Sequence, residues 1–271
     1  MNNKQQPYKI TYPQKKKVGF LLSIPHCGIQ FPEEIEGDYN QKMKGQPDDT
    51  DWDLNLLYDF ASELGITIIE AVYSRWVIDL NRTPQNKSLY NDGRIITSLC
   101  PTTDFFGNDI YISPDKEPTG EEIQRRLQNY YLPYHQKIDF LLEELKKDFG
   151  RVIFWDAHSI RRNVKTIQKE DFPDLILGNN DGKTADSKII KVALDSLNDS
   201  GLDVYHNTPF KGGFLTRSKG NPENGIHALQ LEMSKDLYMS KNELDYDLEK
   251  AKEIKEYLLK TFKNLISFIH G

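Results

Sequence analysis

The chain has 271 residues, a formal net charge of −6 and 38% hydrophobic residues, with a mean hydropathy of −0.64. It is long enough for one large α/β domain or two small ones. No window approaches the roughly 18 apolar residues of a membrane span, the acidic balance works against binding phosphate backbones, and two cysteines, Cys27 and Cys100, are too few for a disulfide framework.

Membrane and nucleic acid are therefore not expected partners. The N-terminal stretch MNNKQQPYKITYPQKKKVGF contains a basic KKK run that reads as a solvated lead-in to the first strand. It lacks the apolar core and small-residue cleavage site of a signal peptide, so a cytoplasmic location is expected.

The first strand is predicted at residues 18–24, followed by a loop carrying Pro32, Gly45 and Pro47. A helix is expected from near Thr50, with Thr50 and Asp53 as its capping pair and Gly65 closing it. Leu54, Leu57, Tyr58, Ala61 and Leu64 give it one apolar face. Strands are predicted at 66–70 and 76–80. The irregular stretch 81–118 is too long for a passive connector, and its aromatics Tyr90, Phe105, Phe106 and Tyr111 argue for packed order. Thr119 and Glu122 form a capping box for a helix that runs to Gly150, with a kink expected at Pro133.

The VIFW strand comes next, then a helix at 184–199, a short strand at 202–205 and the glycine-rich loop HNTPFKGGFLTRSKGNPENG. IHALQLEM reads as the last strand and 242–269 as a long closing helix. This alternation argues for a layered α/β fold. No repeat or linker divides it, so residues 1–271 are expected to form a single domain.

Two of the predicted strands end abruptly in polar residues: GFLLSIPHCG in His26, and VIFWDAHSI in Asp156, His158 and Ser159. Ligands collect at the carboxyl ends of strands in open α/β sheets. A hydrolytic metal site needs about three protein ligands and one open position. His26 and His158 supply two. The cluster Asp48, Asp49, Asp51 offers the third, with Asp51 favoured for its place at a helix start and Asp49 as its close competitor. The plainer alternative is that these aspartates complement a positive helix end. Asp156 is a candidate supporting carboxylate for His158.

Strand alternation puts Ala228, Gln230 and Glu232 on one face of IHALQLEM, and Leu229, Leu231 and Met233 on the core face. Glu232 is then a candidate general base and acid, and His227, at the mouth of the same strand, a candidate substrate contact. WVIDLNRTP ends in Asp79, Asn81 and Arg82, where an amide and a guanidinium fork suit a carboxylate, unless Arg82 pairs with Asp79 or Asp92. Arg94, Arg161, Arg162 and Arg217 follow strands and offer a second acidic contact.

At these residues the sequence resembles the N-formylglutamate amidohydrolase family, which removes formate from N-formyl-L-glutamate in histidine breakdown. The resemblance runs nearly end to end through SIPHCG, DTDWDLNLLYDFA, VIDLNR, GRIITSLCP, FFGNDIY, WDAHSIR, PDLILGNN, TPFKGGFLTR and HALQLEM. The family is distantly similar to aspartoacylase and the zinc carboxypeptidases, which implies a single-domain three-layer sandwich with a mixed central sheet flanked by helices.

The resemblance further implies His26 and His158 as metal ligands and Glu232 as the residue that activates water, with the third ligand left to Asp51 of the acidic cluster. It gives Asn81 and Arg82 the substrate's α-carboxylate, and leaves the other end of a small dicarboxylate to Arg161 or Arg217. Zinc is the first choice of metal, with manganese, iron and cobalt also suited to such ligands. The carboxypeptidase group places a carboxylate three residues after its first histidine, where this chain has Ile29. Other readings are a deacylase of another N-acyl amino acid, a small carboxypeptidase or a metal-free anion-binding module. The oligomeric state is not legible.

Overall fold

The most apolar runs of the chain become neighbouring strands, because a strand covered on both faces must be apolar on both. The structure, a computed structural model, describes residues 5–85 and 98–271. Its seven strands are β1 (Tyr8–Thr11), β2 (Phe20–Ile24), β3 (Thr67–Ala71), β4 (Val152–Ile160), β5 (Leu175–Gly178), β6 (Val204–His206) and β7 (Ile226–Ser234). They form one sheet in the order β1-β3-β2-β4-β7-β5-β6. The central strands β3, β2, β4 and β7 run parallel. β1 joins β3 antiparallel, and β5 runs antiparallel to β7 and parallel to β6.

The helices are α1 (Gln41–Lys44), α2 (Leu54–Leu57), α3 (Gly120–Arg126), α4 (Leu132–Phe149), α5 (Ser187–Asn198), α6 (Phe214–Lys219) and α7 (Leu248–His270). Alternation along the strands divides the interior into two layers. Phe20, Ile153, Trp155, Leu229 and Leu231 pack with Leu57 of α2, Ile189 of α5 and Phe262 of α7. Leu21, Phe154 and Ala228 pack on the other side with Ile138 and Leu142 of α4 and Leu215 of α6. The result is the expected mixed sheet between helical layers. No helix among the described residues is long and apolar enough to cross a membrane.

Several elements differ from expectation. The run at 76–80 is fully buried but makes no strand, because side chains satisfy its carbonyls: Tyr39 bonds Trp76 O, Arg126 bonds Val77 O and the His135 ring meets Leu80 O. The helix expected from Thr50 is the single turn α2 followed by a 3₁₀ stretch, Asp59–Leu64, that ends at Gly65 with φ 88°. Its N-cap is Asp53 at φ 55°, and Thr50 caps nothing. The Thr119 cap forms as expected. Before Pro133 the helix passes through a π-helical turn, Leu127–Tyr131. β1, β5 and α6 lie in stretches that read as loop.

Candidate metal centre and active site

Two parallel strands and two loops bring the site together at the carboxyl edge of the sheet. In β4 the face bearing Val152 and Phe154 continues to Asp156 and His158, while Ser159 turns the other way and bonds the Tyr238 hydroxyl at 2.7 Å. Register pairs Asp156 with Gln230 and His158 with Glu232, so all four side chains share one face. His26 follows β2. Its carbonyl accepts from the backbone N–H of Asp51 at 3.0 Å, which fastens the acidic loop to the strand end.

The donor atoms of His26, Asp51 and His158 all lie within 4.8 Å of one another, and the three residues are buried. Asp51 Oδ2 stands 3.8 Å from His26 Nδ1 and 3.3 Å from His158 Nδ1. His26 Nδ1 and Asp51 Oδ2 have no hydrogen-bond partner among the described residues. Buried polar atoms are rarely left so. Donors on a tetrahedron with bonds of about 2.0–2.1 Å stand roughly 3.3 Å apart, close to these separations. The set therefore fits a divalent ion.

The opposite ring nitrogens each face a carboxylate. His26 Nε2 lies 2.8 Å from Asp79 Oδ1, and His158 Nε2 lies 3.2 Å from Asp156 Oδ1. Such partners fix the ring orientation of metal-binding histidines. Asp79 is in turn gripped by Arg75 at 2.6 Å and approached by Arg82 at 3.5 Å. Burial opposes its ionisation, but Arg75, His26 and Arg82 hold it well below the usual carboxylate range.

Burial and the Arg75 charge lower His26, whereas for His158 burial is outweighed by Asp156 and Asp51, which hold it well above its ordinary value. Burial raises Asp51, and the two histidines more than reverse this. The Glu232 carboxyl is pushed up to about 7, chiefly by burial, with His158 opposing and Asp51 adding to the rise.

Asp49, the competing ligand, is committed elsewhere. Its two oxygens accept from the Trp76 indole N–H at 3.1 Å and the Phe105 backbone N–H at 2.9 Å. Ile29, where the carboxypeptidase pattern has its carboxylate, is 52% exposed. Cys27 points its thiol at the carbonyls of Ile24 and Ala71.

The expected substrate contacts divide. Asn81 is turned inward. Its amide oxygen accepts from Leu215 N at 2.7 Å, and its amide nitrogen lies 3.0 Å from His158 Nε2 and 3.5 Å from Asp156 Oδ2. Gly213 presses on this amide so closely that an added Cβ would stand 2.3 Å from Asn81 Nδ2, which accounts for a glycine in KGGF. Arg217 lies on α6 with its Nε donating to Gly212 O at 2.8 Å. Arg161 is engaged by Asp48 and Glu243, and Arg162 by Asp174 and Asp236. Arg94 and Asp92 lie outside the described residues.

His227 requires a correction. It pairs with Ile153 at the amino end of β7, five residues from Glu232, which is roughly 16 Å along a strand. There its Nδ1 accepts from Asp186 N at 3.2 Å. It faces the opposite edge of the sheet from the ligands, because the period of a strand gives a residue's face and not its end. Sequence reasoning also missed Arg75 and Lys235, both buried beside the site. Arg75 precedes Asp79 by four residues, a spacing that carries no signal if 76–80 is read as a strand.

The family model of N-formylglutamate amidohydrolase matches residues 18–239. The chain is 36% identical over 229 residues to an N-formylglutamate deformylase of Pseudomonas putida, covering 84% of each chain. It is 37% identical over 228 residues to that of Pseudomonas aeruginosa, covering 83% of this chain and 84% of the relative. In fold it is similar to the crystal structure of N-formylglutamate amidohydrolase from Ralstonia eutropha, with a TM-score of 0.80 at 23% identity over 98% of this chain and 99% of that one. A gene product of Agrobacterium tumefaciens superposes with a TM-score of 0.73 at 18% identity, over 96% of both. The chain belongs to the N-formylglutamate amidohydrolase family.

Proposed function

We propose that this chain is a metal-dependent amidohydrolase that converts N-formyl-L-glutamate and water to formate and L-glutamate, serving histidine degradation as one catalytic domain. The reading is carried by one observation: His26 Nδ1, Asp51 Oδ2 and His158 Nδ1 of three buried residues converge, and His158 shares its sheet face with Glu232. Family membership and the two deformylases among its relatives point the substrate to N-formylglutamate.

A divalent ion held by His26, Asp51 and His158, zinc before others, would supply Lewis acidity to polarise the formyl carbonyl and acidify water. The residues do the rest. Glu232, as the carboxylate, takes a proton from the attacking water and returns it to the amine nitrogen as the formyl C–N bond breaks. Asp79 keeps the His26 imidazole in the tautomer that leaves Nδ1 bare, and Asp156 stands beside the Nε2 edge of His158. Arg82 receives the α-carboxylate of the substrate and Arg217 the side-chain carboxylate. Asn81, with its oxygen occupied by Leu215 N, turns its amide N–H toward Asp156 and braces that carboxylate from behind.

The test is release of glutamate from N-formyl-, N-acetyl- and peptidyl-glutamate, with formate measured for the first, by the chain as purified, after chelation, and after zinc is restored. Formate release that chelation abolishes and zinc restores is expected, with the formyl substrate preferred. Full activity after chelation would remove the metal from the mechanism, and a preference for the acetyl or peptidyl compound would reassign the substrate.

A further inference from the structure

The geometry points to Arg161 and Lys235 as positioning residues that hold the loop bearing Asp51 in register with the two histidines. The inference rests on the metal centre proposed above. Arg161 stands three residues beyond His158 and Lys235 three beyond Glu232, each just past its strand, and both reach to Asp48 in the acidic loop. Arg161 Nε donates to Asp48 Oδ1 at 2.7 Å, and its NH2 group donates to the same oxygen. The Lys235 ammonium, only 2% exposed, donates to the Asp48 carbonyl at 3.1 Å. One residue of the loop is thus held by its side chain to the end of β4 and by its backbone to the end of β7. Three positions later the same loop delivers Asp51.

The alternative use of Arg161, as a fork for the substrate's second carboxylate, conflicts with how its donors are spent. A guanidinium has five N–H groups. Two go to Asp48, and the NH1 group donates to Glu243 Oε2 at 2.9 Å and to Asn242 O at 3.2 Å. At most one remains, too few for a bidentate grip. Glu243 is also held by the backbone N–H of Arg162 at 2.9 Å, so the arrangement joins three segments. A buried lysine with a single backbone acceptor is costly to keep, and here that acceptor belongs to the loop that carries a ligand.

The test is zinc binding by the metal-free full-length chain, read by competition with a chromophoric chelator. Wild type, Asp48→Ala, Arg161→Met, Arg161→Lys and Lys235→Met are compared, with melting of each metal-free form as the folding control. Support around a metal ligand is worth about 10–100-fold in affinity. Asp48→Ala and Arg161→Met should each weaken zinc by at least about 10-fold, with partial recovery in Arg161→Lys. Their preference for N-formylglutamate over N-formylnorvaline should stay at the wild-type ratio.

Asp48→Ala, the change at a half-buried loop position, carries the decision. Wild-type zinc affinity in folded Asp48→Ala would overturn the inference. So would an Arg161→Met variant that keeps its zinc and loses only the preference for the second carboxylate. A wild-type chain that binds no zinc would instead overturn the metal centre itself.

Discussion

Asp49 and Asp51 lie two residues apart, yet their carboxylates face different partners: Asp49 accepts from two protein N–H groups, while Asp51 turns one oxygen toward the Nδ1 atoms of two histidines. Their replacement by asparagine should therefore separate. Asp51→Asn is expected to lose tight zinc binding and activity together. Asp49→Asn should retain zinc and lose about 1–3 kcal/mol of stability, because an amide cannot accept at both atoms. Zinc content and urea unfolding of the two variants check this. Glu232 tests the chemistry rather than the metal. Burial holds its carboxyl neutral up to about 7, and a base must be ionised, so kcat/KM should rise with pH. A cation among the donors lowers that value, which places the ascending limb at or below pH 7. Glu232→Gln should reduce formate release by roughly 10²–10⁴-fold and leave zinc stoichiometry unchanged. A limb centred above pH 8, or a rate that survives in the variant, contradicts the assignment.

At the scale of elements, the loop between β6 and β7 is fitted to the site through backbone as well as side chains. Gly213 N donates to Gln230 Oε1 at 2.6 Å, and its α-carbon lies against the Asn81 amide. Gly213→Ala should force Asn81 away from His158, at a cost of about 1–3 kcal/mol for overpacking, with a fall in kcat seen beside a lower melting point. Normal stability and kcat in that variant would show that the loop yields easily.

The elements also show what the sequence made legible. β2 and β4 announced themselves as apolar runs ending in polar residues and β7 by its alternation, and these strands lead into His26 and carry His158 and Glu232. The stretch 76–80 shares that pattern, yet its carbonyls find Tyr39, Arg126 and His135 instead of a neighbouring strand. β5 has four residues, too short a run for periodicity to declare. His227 was misplaced because alternation shows which face a side chain takes but not which edge of the sheet it ends near. Lys235 and Arg75 were not visible because their importance lies in distant partners.

Across the whole molecule, the family match ends at residue 239, whereas α7 begins at Leu248. That helix is nonetheless part of the core. The Phe262 ring lies 4.8 Å from Phe20, 5.1 Å from Trp155 and 5.7 Å from Tyr58, beneath the strands that end in the site. Phe262→Ala should cost about 3–5 kcal/mol, read by chemical denaturation, while the donor set on the far side of the sheet still binds zinc in the folded fraction. Loss of zinc without loss of stability would indicate that α7 communicates with the site by some route other than support of the sheet.

The register of β4 against β7 has one more consequence. His158 and Glu232 are opposite one another on adjacent parallel strands, so the interval between a metal donor and the proposed base is set by the spacing of backbones, roughly 4.8 Å. Side-chain substitutions in the surrounding loops leave that interval alone, and a slip of one residue would throw one member of the pair to the other face. The interval between the two is thus a property of the sheet and not of the loops around it. A graft of the 206–225 loop from a relative should therefore leave the interval between His158 and Glu232 unchanged provided it keeps Gly213, Leu215 and Thr216, whose contacts reach Gln230, Asn81 and Asp156.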